Sequence, residues 1–361
     1  MERKIQVGII GATGMVGQNY LRLLENHPWF EVTYLAASPN SAGKTYEEAV
    51  KGRWHMTGDI PASCRNIIVQ DASLVEKAIG KCRIVFSAVE MDKKSIMALE
   101  ESYAAAGFAV VSNNSAHRHT PDVPMMAPEI NPEHLDIIPQ QRKQRGWKNG
   151  MLIVKPNCSI QSYLLPVYAL IKAGYPVQKM ILTTLQAVSG AGYPGPASID
   201  LIDNIVPYIG GEEEKSEIEP LKIFGRIQGN QIVPASDIKI SAHCNRVPVS
   251  DGHTACVSLQ FGTKKPAMDE ILSIWRNFSG VPQELHLPSA PVPPVIYRDE
   301  LDRPQPRKDR NAGNGMAVTV GRLRPCNVFD IRFTGLHHNT VRGAAGGAIL
   351  SAELIVARGL V

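Results

Sequence analysis

The apolar positions of this chain change period along its length. Ile5 to Ile10 is a short continuous apolar run, Val16, Tyr20 and Leu23 recur at helical spacing, and Glu31 to Ala36 returns to a strand-like run. Further apolar runs at Ile67 to Val69, Ile84 to Val89 and Ala109 to Val111 flank a helical pattern through Asp92 to Ala106. That alternation predicts a doubly wound parallel sheet covered by helices. After the basic, polar stretch Gln140 to Lys148 comes the run Met151 to Val154, and the domain boundary is placed just beyond it. Long strand-like runs then dominate: Lys179 to Val188, Ile238 to Pro248, His253 to Gly262, Met316 to Leu323 and Val328 to Thr334. They predict an antiparallel-rich sheet with few helices, so the whole chain is expected to be α/β followed by an α+β unit. Prolines between Pro288 and Pro306 predict an extended connection without regular structure. From Asn339 to Arg358 apolar residues resume helical spacing, as in a final helix that packs back on the first domain.

A length of 361 residues suits about two domains, each able to bury its own core. The net charge of +4 is too small to neutralise a nucleic-acid backbone and fits anionic small molecules better, so no nucleic-acid partner is expected. Six cysteines without a CxxC pair point to neither a disulfide framework nor a metal site. Met1 to Lys4 leads straight into the first strand without a secretory pattern, and Met180 to Ile199 is interrupted by glycine and proline. A soluble protein of the reducing cytoplasm, with no membrane partner, is the expectation.

Gly11-Ala12-Thr13-Gly14-Met15-Val16-Gly17 closes the first strand and opens the first helix, where a dinucleotide pyrophosphate can rest on free N–H groups. The second strand ends at Ser38 without a carboxylate for a ribose 2′-hydroxyl, and Lys44 follows, which favours NADP over NAD. Pro156-Asn157-Cys158-Ser159 joins a strand-like run to Ile160, Leu164, Val167 and Ile171 at helical spacing. A cysteine at a helix start is expected to have its pKa of ~8.5 lowered and to act as a nucleophile. The remaining cysteines read as packing residues. His253 begins a strand after Ser250-Asp251-Gly252, a position from which imidazole can move protons in a cleft. Asn113 to Arg118, Glu212 to Lys215 and Asn245-Arg246 hold further polar candidates, whereas Arg142 to Arg145 reads as a solvated face.

Six segments together, GATGMVG, SNNSAHR, PNCS, QAVSGAGYPG, CNRVPVSDGH and HNTVRGAAGGA, resemble aspartate-semialdehyde dehydrogenase, in its archaeal and fungal branch, across nearly the full chain. The resemblance implies a Rossmann-like NADP domain over residues 1–156, completed by a C-terminal helix at 339–361. It implies a catalytic and dimerisation domain over 157–338, in a homodimer or homotetramer. The implied reaction is NADPH-dependent reduction of L-aspartyl 4-phosphate to L-aspartate 4-semialdehyde and phosphate through a cysteine thioester. Cys158 is then the nucleophile, His253 its acid/base partner and Gln186 a group that orients substrate. Arg246 pairs with the substrate α-carboxylate; Arg118, Asn157 and Lys215 hold phosphate; Asn114 also contacts substrate. Glu212 meets the α-ammonium, with Glu213 and Glu214 as rivals for that role. Gly11, Thr13, Gly14, Met15, Val16, Gly17, Ser38, Ser189, Gly190 and Asn339 are the implied cofactor contacts. Two alternatives compete: a malonyl-coenzyme A reductase-like enzyme, and an extended short-chain dehydrogenase using the YxxxK pair Tyr168 and Lys172.

Overall fold

The computed structural model describes residues 4–361; Met1 to Arg3, expected from the sequence to lead into the first strand, lie outside them. The first sheet contains β1 (Ile5–Ile10), β2 (Phe30–Ala37), β3 (Gln70–Asp71), β4 (Ile84–Ser87), β5 (Ala109–Ser112) and β6 (Met151–Val154). Their order is β3-β2-β1-β4-β5-β6, with every pair parallel. Chain direction across the sheet reverses between β1 and β4, so the crevice beyond their carboxyl ends is the natural place for a ligand. The apolar run Ile67 to Val69 stops short of a strand; only Gln70 and Asp71 pair, at the sheet edge.

Beyond β6 come β7 (Val177–Gln186), the small hairpin β8 (Arg226–Gln228) and β9 (Gln231–Val233), β10 (Lys239–Arg246), β11 (His253–Phe261), β12 (Val295–Arg298), β13 (Val318–Pro325) and β14 (Ile331–His337). The second sheet runs β10-β7-β11-β14-β13-β12. It is mixed: its centre is antiparallel, while β10 lies parallel to β7 and β12 parallel to β13. The proline-rich connection therefore does contain regular structure. Strand β12 sits at the edge, where prolines on either side remove no ladder hydrogen bond from a neighbour. Helices Leu164–Lys172 and Met268–Asn277 cover the inner face of this sheet, where fully buried Trp275 donates its indole N–H to the Pro166 carbonyl at 2.9 Å.

The two sheets share apolar core on one side, and the closing helix Gly346–Ala357 shares core with β1 and the Met15–Leu24 helix on the other. That closing helix is buried on nearly every face. It is anchored by Glu353, which accepts hydrogen bonds from Ser289 and lies 2.8 Å from His27 across the first domain. Arg142 and Arg145, expected in a solvated face, instead tie surfaces together: Arg142 reaches the Leu360 carbonyl, and Arg145 pairs with Asp122 and Glu101.

Candidate active site

At the carboxyl end of β1 the chain turns through Gly11 with φ +80°, and a Cβ there would lie 2.3 Å from the Ala88 carbonyl oxygen. A Cβ on Gly17 would lie 2.3 Å from the Gly11 oxygen, so the first helix presses directly on the turn. Gly14 caps that helix without a side-chain acceptor, leaving its first N–H groups free for phosphate oxygens. Gly11, Thr13, Gly14 and Ser38 line a cavity of about 460 Å³ together with Asp71 and Glu90. Met15 and Val16 line the adjoining cleft of about 170 Å³, whose walls also hold Cys158, Ser189, Gly190 and Asn339. The two spaces are lined by residues on either side of the helix start, whose free N–H groups can receive a phosphate. Asp71, which sequence reasoning missed, lines the wider space from β3, its Oδ1 engaged by the Ser73 N–H and hydroxyl.

Lys155-Pro156-Asn157-Cys158 leaves the carboxyl end of β6 and delivers Cys158 into the narrower cleft, with its Sγ 3.5 Å from His253 Nε2. His253 opens β11 beside β7, and its Nδ1 accepts the Ala187 N–H at 3.0 Å. An acceptor at Nδ1 leaves the neutral ring's one proton on Nε2, aimed at the sulfur. Burial, then Arg246, His338 and Lys155, push the His253 pKa down to about 3. The expected acid/base partner is thus a neutral hydrogen-bond donor in this arrangement.

The sulfur also departs from expectation. Cys158 precedes only a four-residue 3-10 turn, Ser159–Ser162, too short for a strong helix dipole. Burial, followed by Glu212, raises the thiol above its ordinary range, while Lys155, Arg118 and Arg246 pull it back. The other cysteines are not uniformly packing residues either, since Cys256 is exposed.

Glu212 organises the polar side of the site, and of the three adjacent glutamates it is the one bonded to the residues around Cys158. Its carboxylate accepts from Asn157 Nδ2 at 2.9 Å, Lys215 Nζ at 2.9 Å and Gln186 Nε2 at 3.2 Å. Burial would raise it, but Lys215, Gln186 and Asn157 outweigh burial and hold it below the usual carboxylate range. Glu213 turns away to cap the Cys244 N–H, and Glu214 is exposed. Arg246 enters from the end of β10, donating to the Ala187 carbonyl at 2.7 Å. A Cβ on Gly190 would stand 2.9 Å from both Arg246 Nη1 and the His253 ring, so a bare backbone is needed where the two meet.

Arg118 is buried against Glu219, Nη1 to Oε1 2.8 Å, and with Asn113, Lys155 and Asn157 lines the cleft. Asn114 does not face the cleft. Its Nδ2 donates to Ser87 and Glu100 under the sheet, because the loop turn points Asn113 outward and Asn114 inward. Asn339 bridges Ser189, at 2.8 Å, and the Gly252 N–H, at 2.8 Å, pinning the turn before His253. Tyr168 and Lys172 lie away from all of this: Tyr168 packs on Phe224 and Phe278, and Lys172 reaches the Ser279 carbonyl.

Sequence reasoning missed Lys155, Glu219, His337 and Met56, and it named Asn113 among the polar candidates without giving it a contact. His337, buried beside His253 with ring centroids 5.7 Å apart, has no partner for either ring nitrogen among the described residues. Only Lys155 carried a signal, a charge ending a buried apolar strand just before PNCS.

A family model described as "Semialdehyde dehydrogenase, NAD binding domain" matches residues 6–138, and one described as "Semialdehyde dehydrogenase, dimerisation domain" matches residues 167–342. A protein of Methanothermobacter thermautotrophicus named aspartate-semialdehyde dehydrogenase is 45% identical, with 97% of this chain and 99% of the relative covered. A Cryptococcus neoformans protein of that name is 42% identical over 99% of this chain and 98% of its own length. Among solved structures, the Candida albicans aspartate semialdehyde dehydrogenase with NADP superposes with a TM-score of 0.90 at 39% identity, covering 99% of this chain and 100% of that one.

Proposed function

The chain belongs to the aspartate-semialdehyde dehydrogenase family, and from that premise we propose the division of labour among its cleft residues. The protein is an NADP-dependent, phosphorylating aspartate-semialdehyde dehydrogenase, interconverting L-aspartyl 4-phosphate and L-aspartate 4-semialdehyde plus phosphate. Residues 1–156 with the segment 339–361 form the NADP domain, and 157–338 the catalytic and dimerisation domain. The shared core of the closing helix and the first sheet supports that division.

The observation that carries the reading is the 3.5 Å approach of Cys158 Sγ to His253 Nε2 at the mouth of a dinucleotide-sized crevice. Cys158 attacks the acyl carbon and displaces phosphate, its thiol proton balancing the charge on the departing phosphate, and forms a thioester that accepts hydride more readily than a carboxylate. Bound NADPH supplies that hydride. The His253 Nε2–H, already aimed at the sulfur, stabilises the oxyanion that develops beside it, and collapse expels the Cys158 sulfur and releases the aldehyde. Arg246 holds the substrate α-carboxylate, Glu212 its ammonium and Gln186 the angle between them, supported by the Gln186–Glu212 bond. Arg118, Asn157 and Lys215 receive phosphate, and Asn113 takes the place expected of Asn114. Ser189, Gly190 and Asn339 meet the nicotinamide half, the glycine turn the pyrophosphate and Ser38 the adenosine half.

The enzyme works as an oligomer of identical chains, and a homodimer is the assembly we favour over a homotetramer. Its support is the outer face of the second sheet, where Ile181 and Cys256 stay exposed, and the nearby apolar residues Ile199, Ile202 and Tyr208. No helix among the described residues is long and apolar enough to cross a membrane. Six free cysteines suit a cytoplasmic setting. The test of function is NADP reduction with aspartate semialdehyde, with and without phosphate. Continuous turnover only with phosphate is expected; turnover indifferent to phosphate contradicts the reading.

A further inference from the structure

Resting on that function, we propose that Glu219 is a positioning residue for the phosphate step: one buried carboxylate holds the phosphate-binding Arg118 in fixed relation to the chain that carries Cys158. Both of its oxygens are engaged. Oε1 accepts an Arg118 Nη1–H at 2.8 Å, and Oε2 accepts the backbone N–H of Asn157, the residue before Cys158, at 2.6 Å. The carboxylate is fully buried, whereas Arg118, Asn157 and Cys158 all reach the wall of the cleft. Glu219 therefore stands behind the site and can act only through the two groups it holds.

The surroundings fix the same two groups. Arg118 Nε donates to the Lys155 carbonyl at 3.1 Å and Nη2 to the Asn113 carbonyl at 3.3 Å, so each guanidinium nitrogen has an acceptor and each Nη keeps one further N–H for a ligand. Glu219 lies on the helix Glu212–Ile223. About one turn further along it, Lys222 donates to the carbonyls of Arg118, Thr120 and Val123, so the helix grips Arg118 by side chain and by backbone. One and two turns back, Ser216 meets the Ser159 hydroxyl at 3.3 Å and Glu212 accepts the Asn157 side-chain N–H at 2.9 Å. Residues 212, 216, 219 and 222 share one face of the helix, and that face docks both the arginine and the Asn157-Cys158-Ser159 turn.

The consequence falls on one half of the reaction. When phosphate attacks the thioester, a C–O bond forms, the C–S bond breaks with its electron pair left on sulfur, and the proton lost by the hydrogen phosphate balances the thiolate. Phosphate rests on Arg118 and the acyl carbon on Cys158, so their separation is set by whatever ties those two residues together. Displacing reacting groups by about 1 Å can cost about 10²-fold in rate. Hydride transfer to NADP involves no phosphate and does not depend on that separation. If Glu219 were only a counterion, the opposite would follow: its loss would free the guanidinium to attract phosphate more strongly.

Glu219→Gln tests the tie, because both groups facing the carboxylate are donors and the amide offers them one acceptor oxygen, so one of the two bonds is lost. Two rates are measured with aspartate semialdehyde and NADP: single-turnover NADPH formation without phosphate, and steady turnover as phosphate is varied. In Glu219→Gln, kcat/KM for phosphate should fall by about 10²-fold, while the single-turnover rate and NADPH affinity stay within about threefold of wild type and so report a folded site. Should a lone buried guanidinium prevent folding, Glu219→Asp keeps both acceptors on a shorter arm and should show the same split with a loss of about tenfold. Because Glu219 acts through Arg118, Arg118→Met and the double variant Arg118→Met/Glu219→Gln should agree in kcat/KM for phosphate within about threefold. Equal loss of both rates in the Glu219 variants, a kcat/KM for phosphate at or above wild type, or additive losses in the double variant would overturn the proposal. Wild-type turnover indifferent to phosphate would overturn the functional reading itself, whatever the Glu219 variants do, which separates the two failures.

Discussion

Around the 460 Å³ cavity the contacts offered to a ligand are largely backbone: a tight turn at Gly11, an uncapped helix start at Gly14, and a close approach at Gly17. Around Cys158 they are side chains delivered from separate segments, with Gln186 from β7, Glu212 from a helix start, Arg246 from β10 and His253 from β11. The first region needs one local stretch of chain and a sheet edge. The second exists only when the whole second sheet is in register, because β7, β10 and β11 must end together. Damage to the backbone half should therefore be graded and confined to cofactor affinity, whereas damage to the convergent half should disable chemistry.

The largest effect that would sharpen this contrast is Cys158→Ser. Loss of the nucleophile should lower phosphate-dependent turnover by about 10⁴-fold or more while NADPH binding, followed by its fluorescence, stays near wild type. Arg246→Leu comes next, with kcat/KM falling by about 10²-fold, or ~2.7 kcal/mol, mainly through KM as the substrate carboxylate loses its partner. Kinetic constants within about twofold of wild type would refute that role. In the backbone half, Gly17→Ala forces a methyl toward the Gly11 oxygen 2.3 Å away. An overpacking cost of ~1–3 kcal/mol should weaken NADP binding about tenfold or more with little change in kcat at saturating cofactor. An equal fall in kcat would break the comparison. The smallest effect belongs to Tyr168→Phe, expected within about twofold because that hydroxyl lies outside the cleft; a large loss would revive the short-chain dehydrogenase alternative.

The same contrast explains what could be read from the residues alone. The glycine turn and PNCS are contiguous, and their roles follow from a strand on one side and a helical pattern on the other. His253 and Arg246 were visible as strand-end residues, but their meeting point depends on the β7–β11 register, which no local pattern encodes. Asn113 and not Asn114 lines the cleft because a loop turn, not a periodicity, decides which one faces it. The thiol was expected to be lowered, yet burial beside Glu212 raises it; desolvation is a property of the assembled core and leaves no mark on the sequence. Lys155 was passed over because a lysine at a strand end is usually solvated, whereas here the closing segment seals it, with Gly347 packed against its side chain.

The acyl group on Cys158 is the point at which every role assigned above converges. Intact-protein mass measurement after mixing enzyme with aspartate semialdehyde and NADP, without phosphate, should show one aspartyl group per chain, mapped by peptide digestion to Cys158 and lost on adding phosphate. An unmodified chain that has nevertheless reduced NADP, or an acyl group on any other residue, would contradict the account.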